Sequence, residues 1–591
     1  MSSACKVTCP ADILATFMSI VLKMIPDVPP HDNNPTILDE YDFIIVGGGS
    51  AGCVLANRLS EISSWNILLL EAGVEEPPIA RVPSLKPFTM APHLNWNYET
   101  VPQPEMCSGK PCKYSRAKML GGCSSHNMMN YNRGNKRNFD YWAQLGNEGW
   151  GYQDVLPYFK KSEDNRDPDI AKDTEHHGLG GYLTVERFPY MDKNAEIICE
   201  ALKEYGFPFV DSNGKRQDGY SLVQTTSRDG VRMSTSRAFL EPIRHKRKNL
   251  HIITKATVNK IIIDSEYKKA IGVQFLLQGE VKEVFVTKEV IVSAGVINSP
   301  KLLQLSGIGP VEFLKPLKIP IVQDLKVGYN LDDHFLPQHF VVLKLEKTST
   351  LPKTLDEILA DMNKYQKHKN GSFSGLVEVT VFTHSKLAQN GIPDLNFMFC
   401  VLYVQEAGSC CQPKKLTVPI PYYNRVGIWP QLGMARSRGT VKINSTDPFS
   451  PPKINHNALK DPADLEILIQ GLMLAMKMSE AKAFARMGMV VDKTPVARCA
   501  SIPYGTEQYW RCALKGNVRP SVHGVGTCRM GPSGDPLAVV DPKLRVHGIT
   551  GLRVIDASVM PSNVNGNTNA ATIMIAEKGA DIVKKDWGVE L

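Results

Sequence analysis

Nowhere in the 591-residue chain is there an apolar run of the ~20 residues that a membrane span needs, so no transmembrane anchor is expected. Charge of one sign is in short excess: 68 Lys and Arg against 60 Asp and Glu leave +8, scattered along the length. The one basic knot, Arg244, Lys246, Arg247 and Lys248, reads as a solvated turn, and nucleic acid is not an expected partner. Internal repeats and long low-complexity tracts are missing as well, so no linker shows in the composition. What remains is an ordinary globular mixture, 43% hydrophobic and 22% charged, in a chain too long for one core. Two domains are the expectation.

The first residues carry the apolar run Ile13 to Leu22, of signal-peptide length, but with Lys6 as the only charge before Asp12 and no clean small-x-small site after it. A short helix packed on the body is the alternative. Cys107 and Cys112 bracket the turn-like "SGKP", and Cys499 and Cys512 flank a second polar stretch; each pair is placed to close a local loop. Sequons stand at Asn370 and Asn444. Together these favour a secreted protein over a cytoplasmic one.

Tyr41 to Val46 ("YDFIIV") reads as a buried parallel strand that runs directly into Gly47-Gly48-Gly49-Ser50-Ala51-Gly52 and then the helical "CVLANRLSE". A second buried strand, Ile67 to Leu70, ends at Glu71, followed by Ala72. Gly47 permits the tight turn, and Gly49 lets backbone approach a pyrophosphate at the helix N-terminus. Gly52 allows helix and strand to pack closely, and Glu71 accepts from ribose hydroxyls. Strand, glycines, helix, strand and acid in this order predict a dinucleotide site. The acid favours an unphosphorylated ribose, hence NAD or FAD, and the pattern alone does not choose between them.

That fingerprint, "LGGCSSHN" at Leu120–Asn127, "GVINSPKLLQLSGIG" from Gly295 and "HGVGTCRMG" from His523 together resemble the glucose–methanol–choline (GMC) family of flavin oxidoreductases. "NWNYET", "VGYNLDDH", "SRGTVKINSTDP" and "LRVIDASVMP" agree, over a match from about Tyr41 to the C-terminus. Insect glucose-dehydrogenase-like members look closest, partly through the two cysteine pairs. The resemblance implies an α/β fold with a Rossmann-like FAD-binding domain and a substrate domain built on an antiparallel sheet. By it, 1–38 is an N-terminal segment; 39–160, 226–335 and 516–591 belong to the flavin part, and 161–225 and 336–515 to the substrate domain. It implies FAD and no metal. Besides the fingerprint residues, Glu71 and Ala72, the implied cofactor contacts are Trp96, Arg116, Gly121, Gly122, Ser124, His126, Asn127, Met128, Val258, Ala294, Asp556, Ala557, Asn567, Thr568 and Asn569. Val296, Cys123 and Ala571 depart from the family's usual residues, none of them removing a reactive group.

Oxidising an alcohol with a flavin requires a proton acceptor at the substrate oxygen. His523 matches the family's catalytic histidine, and imidazole both accepts and returns a proton near neutrality. Asn567 falls where other members carry histidine or asparagine. An amide holds an oxygen but takes no proton, so His523 is expected to be the only titratable catalyst. After Asn569 the apolar spacing predicts a helix whose N-terminal amides face the flavin. His126 stands where the family is usually apolar, but choline oxidase carries a very similar "GGCSSHN" whose histidine is bonded to the flavin 8α carbon. The expectation is therefore either such a bond or a histidine stacked beside the ring.

Helical spacing covers Asp140–Lys161 and Asp461–Met478, "STSRAFL" from Ser234 precedes a strand pair, and alternation from Phe340 to Trp429 fits strands. The function expected is FAD-dependent oxidation of an alcohol: a sugar, a small alcohol or an ecdysteroid. The electrons pass to a quinone-type acceptor or to oxygen, dehydrogenase being favoured over oxidase. The alternatives are a lyase on the same fold and a non-catalytic binding protein, which anaerobic bleaching of the flavin by an alcohol separates from the oxidoreductase.

Overall fold

A strand that is apolar on both faces has to be covered on both sides. In the computed structural model, which describes residues 36–337, 340–375, 379–404 and 418–590, the run from Tyr41 forms the strand Glu40–Val46 inside a seven-stranded sheet. Ile67–Leu70 and Glu280–Val292 flank it in parallel, Val46 lying opposite Leu70 on one side and Val292 on the other. Leu250–Ile253 extends the sheet beyond Ile67–Leu70. The strand Glu280–Val292 is long enough to serve two sets of partners. Its last residues run parallel to Leu552–Val554, while its first pair antiparallel with Lys269–Leu277, itself paired with Ala256–Asp264. The carboxyl ends of the parallel strands gather at one edge, where an open sheet leaves its ligand crevice.

Helix Ser50–Leu59 starts at that edge, and helix Asn569–Asp586 packs beside it. The buried pair Arg58–Glu577, Nε to Oε2 at 2.7 Å, ties the two together. The helical spacing from Asp140 resolves into two helices, Lys136–Gln144 and Tyr152–Ser162, because Gly146 and Gly149 adopt φ of +90° and +80° between them. Pro462–Met478 is one helix, N-capped by Asp461, whose side chain accepts from Ala463 N–H. Ser236–Leu240 forms a wide helical turn ahead of Leu250–Ile253.

The second sheet is antiparallel. Gly219–Leu222, Val379–Thr383, Leu395–Leu402, Arg425–Leu432, Val342–Leu345 and Met489–Val491 follow one another across it, with Phe335–Pro337 and Val518–Pro520 joined at the side. Its core face buries Phe397, Phe399 and Ile428 under helix Pro462–Met478. Both expected disulfides form, Cys107–Cys112 and Cys499–Cys512. The apolar run Ile13–Leu22 lies outside the described residues. Among the described residues no helix is long and apolar enough to cross a membrane.

Candidate active site

Between the two sheets lies a cavity of about 590 Å³, running from the glycine turn after Val46 to Met398 and Trp429 on the antiparallel sheet. Gly47 turns the chain at φ +104°, and a Cβ there would stand 2.6 Å from the Ser293 carbonyl oxygen. The helix that follows has no side-chain cap at Gly49, so its first amides face the cavity unclaimed by any capping side chain. Glu71 closes the second strand; its carboxylate accepts from Gly48 N–H at 2.8 Å and Gly73 N–H at 2.7 Å. Burial outweighs those bonds and pushes its pKa up to about 7. Thr568, at the start of helix Asn569–Asp586, likewise offers no side-chain cap. Ser50 Oγ donates to Asn569 Oδ1 at 2.8 Å, so two helix N-termini meet at one wall.

Of the residues singled out in the sequence, Gly47, Gly49, Ser50, Ala51, Glu71, Ala72, Trp96, Arg116, Gly122, His126, Asn127 and Met128 line this cavity. So do Val258, Ala294, His523, Asp556, Ala557, Asn567, Thr568 and Asn569. Gly52, Gly121 and Ser124 stand behind the wall. A Cβ on Gly52 would overlap the Gly47 carbonyl oxygen, so its place is against the strand turn. Gly121 donates its N–H to Gly48 carbonyl at 2.8 Å. The Ser124 hydroxyl turns inward, donating to Gly121 carbonyl at 2.6 Å and accepting from Thr235 N–H at 2.9 Å. Close approach to the glycine turn falls instead to Gly122, where a Cβ would sit 2.7 Å from Gly49 Cα.

His126 is buried on the cavity wall with Nδ1 bound to no protein group. Next to it burial works against ionisation of the Cys123 thiol, but hydrogen bonding to His126 and the charge of Arg116 prevail and bring its pKa down to about 6. Arg116 Nη2 donates to Tyr114 Oη at 2.8 Å, and Tyr114 Oη donates to Asp333 Oδ2 at 2.6 Å. The other oxygen of Asp333 accepts from the backbone N–H of His523 at 2.9 Å.

The proton position on His523 follows from its neighbours. Ser521 Oγ donates to Gln431 Oε1 at 2.9 Å, which leaves Gln431 Nε2 to donate to His334 Nδ1 at 3.0 Å. The single lone pair of His334 Nδ1 then faces two donors, Gln431 Nε2 and, at 3.1 Å, His523 Nδ1, to which the proton is assigned. The Nε2 of His523 therefore holds a lone pair, which accepts from Asn567 Nδ2 at 3.2 Å. Burial lowers the pKa of His523 to about 4, with Arg116 adding to that and Asp333 opposing it. Burial and the facing His523 take His334 down to about 3. Both rings are neutral near neutrality. Sequence reading did not single out Asp333, His334 or Gln431. Asp333 and His334 stood inside the quoted "VGYNLDDH", whereas Gln431 carries no local signal.

The chain matches two family models described as GMC oxidoreductase, over residues 41–336 and 435–576. It is 40% identical to glucose dehydrogenase [FAD, quinone] of Drosophila pseudoobscura pseudoobscura, covering 93% of this chain and 88% of that one. It is 32% identical to ecdysone oxidase of Spodoptera littoralis, covering 94% of each. A formate oxidase variant of Aspergillus oryzae superposes with TM-score 0.81 at 27% identity, over 93% of this chain and 99% of that one. The chain belongs to the GMC oxidoreductase family, with its mixed α/β fold and antiparallel sheet. It is an FAD flavoprotein that acts on alcohol-type donors.

The residues present suit that cofactor. A Cβ on Gly49 would meet nothing nearer than Gly122 Cα at 3.9 Å, so the missing side chain leaves room beside free helix amides for a diphosphate. The buried, unpartnered Nδ1 of His126 marks a polar atom that the protein itself leaves unsatisfied.

Proposed function

We propose that His523 is the base of the alcohol oxidation and that Asn567 holds the substrate oxygen. The observation that carries this reading is the Asn567–His523 contact at 3.2 Å on the cavity wall, with the unprotonated Nε2 on the side of the amide. Nε2 takes the hydroxyl proton. The Asn567 amide donates a hydrogen bond to the oxygen left behind and has no proton to gain. The fixed charge of Arg116, which already disfavours protonated His523, favours negative charge developing on that oxygen. When bound, FAD supplies the acceptor for the hydride that leaves the carbon.

Helix amides at Ser50 and Ala51 would hold the diphosphate, Glu71 the ribose and Val258 the adenine. Trp96, Gly122, His126, Asn127 and the turn from Asn567 to Asn569 would surround the ring system. A quinone-type acceptor is favoured by the name of the 40% identical glucose dehydrogenase, and with it a dehydrogenase over an oxidase. Two disulfides favour an oxidising compartment, hence secretion.

The test is His523→Ala. Alcohol oxidation should fall by about 10²–10⁴-fold with FAD still bound. Activity within about threefold of the parent removes the base assignment. The wild-type pH profile checks the same claim. The base works only unprotonated, so kcat/KM should climb as pH rises through about 4 and then level, rather than climbing through the 6.5 of an ordinary histidine.

A further inference from the structure

The end of the cavity beyond His523 is closed by one face of the antiparallel sheet, polar at Asn396 and Gln431 and apolar beyond them. Strand register sets Met398 opposite Trp429, Cys400 opposite Gly427 and Asn396 opposite Gln431. Alternation along the two strands therefore brings Met398, Cys400 and Trp429 to the cavity, with Phe397, Phe399 and Ile428 in the core behind them. Gln431, two residues after Trp429 on the same face, is the group that reaches His334 and through it His523. The apolar face is thus the direct continuation of the reacting centre.

Gly427 shapes that face. A Cβ there would overlap the indole nitrogen of Trp429, so the ring lies across the glycine, flattened along the sheet. Ile420, and Val522 beside His523, extend the apolar lining. The two carboxylates among the described lining residues are committed elsewhere. Glu71 binds Gly48 and Gly73, and Asp556 accepts from Gly295 N–H at 2.8 Å, Ser299 Oγ at 2.6 Å and Ser558 N–H at 2.7 Å.

We infer that the preferred donor is an alcohol whose carbinol carbon carries an apolar ring system, aryl or polycyclic, rather than a polyol or a cationic alcohol. This rests on the alcohol-oxidation reading above. A flat ring finds the indole face and the thioether of Met398, both suited to it. A hexose would set those of its hydroxyls that meet this face against the carbon and sulfur of Met398, Cys400 and Ile420, which replace none of their bonds to water. A quaternary ammonium would meet no uncommitted carboxylate among the described lining residues.

Benzyl alcohol, a 3β-hydroxysteroid, D-glucose and choline, each given to the holoenzyme without oxygen and then with an artificial acceptor, test this. The ring-bearing pair should exceed glucose and choline in kcat/KM by about 100-fold or more. Glucose or choline reducing the flavin as well as the ring-bearing alcohols overturns the inference and leaves the alcohol-oxidation reading standing. A flavin that none of the four reduces overturns that reading, and this one with it. Gly427→Ala drives the indole off its seat. It should cost the steroid about tenfold or more in kcat/KM and benzyl alcohol less than about threefold. Equal losses for both, or none for either, count against Trp429 as the surface on which the ring is selected.

Discussion

At the scale of single residues, the proposed reaction divides its work among three side chains on one cavity wall. His523 offers an unprotonated Nε2, Asn567 an N–H, and Arg116 a fixed charge on the same cavity. His126 stands apart from them. Its Nδ1 is buried on the cavity wall with no protein partner, and the Cys123 thiol stands beside it. We propose that this nitrogen carries the covalent flavin link, with a ring stacked beside the flavin as the alternative outcome. The expected outcome is that acid-precipitated wild-type protein keeps its yellow colour, and that His126→Ala gives the colour up to the supernatant. Full release from the wild type rejects the link. The oddity of His126 is visible in the sequence, because an imidazole interrupts a run of glycine and small hydroxyls. Gln431 is not, since its partner His334 lies 97 residues away and only the register of a sheet brings them together.

Secondary elements carry the site because their ends converge. The parallel strands finish at one edge, and helices Ser50–Leu59 and Asn569–Asp586 begin there with no side-chain caps, leaving amides for an anionic ligand. Gly122 presses the following turn against the glycine loop at φ +52°, where a side chain is both strained and crowded. Gly122→Val should therefore cut FAD occupancy to less than about a tenth, read as flavin absorbance per protein, while far-UV circular dichroism stays unchanged. Retained flavin would show that the loop has another way to pack. The first strand, its glycines and the following helix were legible because strand period, turn residues and helix period are local properties. The break between Lys136–Gln144 and Tyr152–Ser162 was not anticipated, since helical spacing continues past glycines that the structure places at positive φ.

For the molecule as a whole, two apolar cores and the cavity between them are held by contacts far apart in sequence, and the disulfides add local closure. Cys499–Cys512, 13 residues apart, restricts a longer loop than Cys107–Cys112, 5 apart. Replacing the first pair by serine should cost about 3 kcal/mol and replacing the second about 2 kcal/mol, measured as shifts in denaturant midpoint. Equal or reversed losses would place the stabilisation outside chain entropy. The sequence by itself determined the dinucleotide half, the FAD family, both cysteine pairs and the place of His523 and Asn567 on the cavity wall, because each rests on residues close in the chain or on motifs that travel as units. Only the tertiary structure decided which nitrogen of His523 faces Asn567 and which apolar surface closes the cavity beyond it. Those depend on Gln431, His334, Gly427 and Trp429, whose meeting is set by strand register and by the packing of two sheets, quantities that no local pattern of residues records.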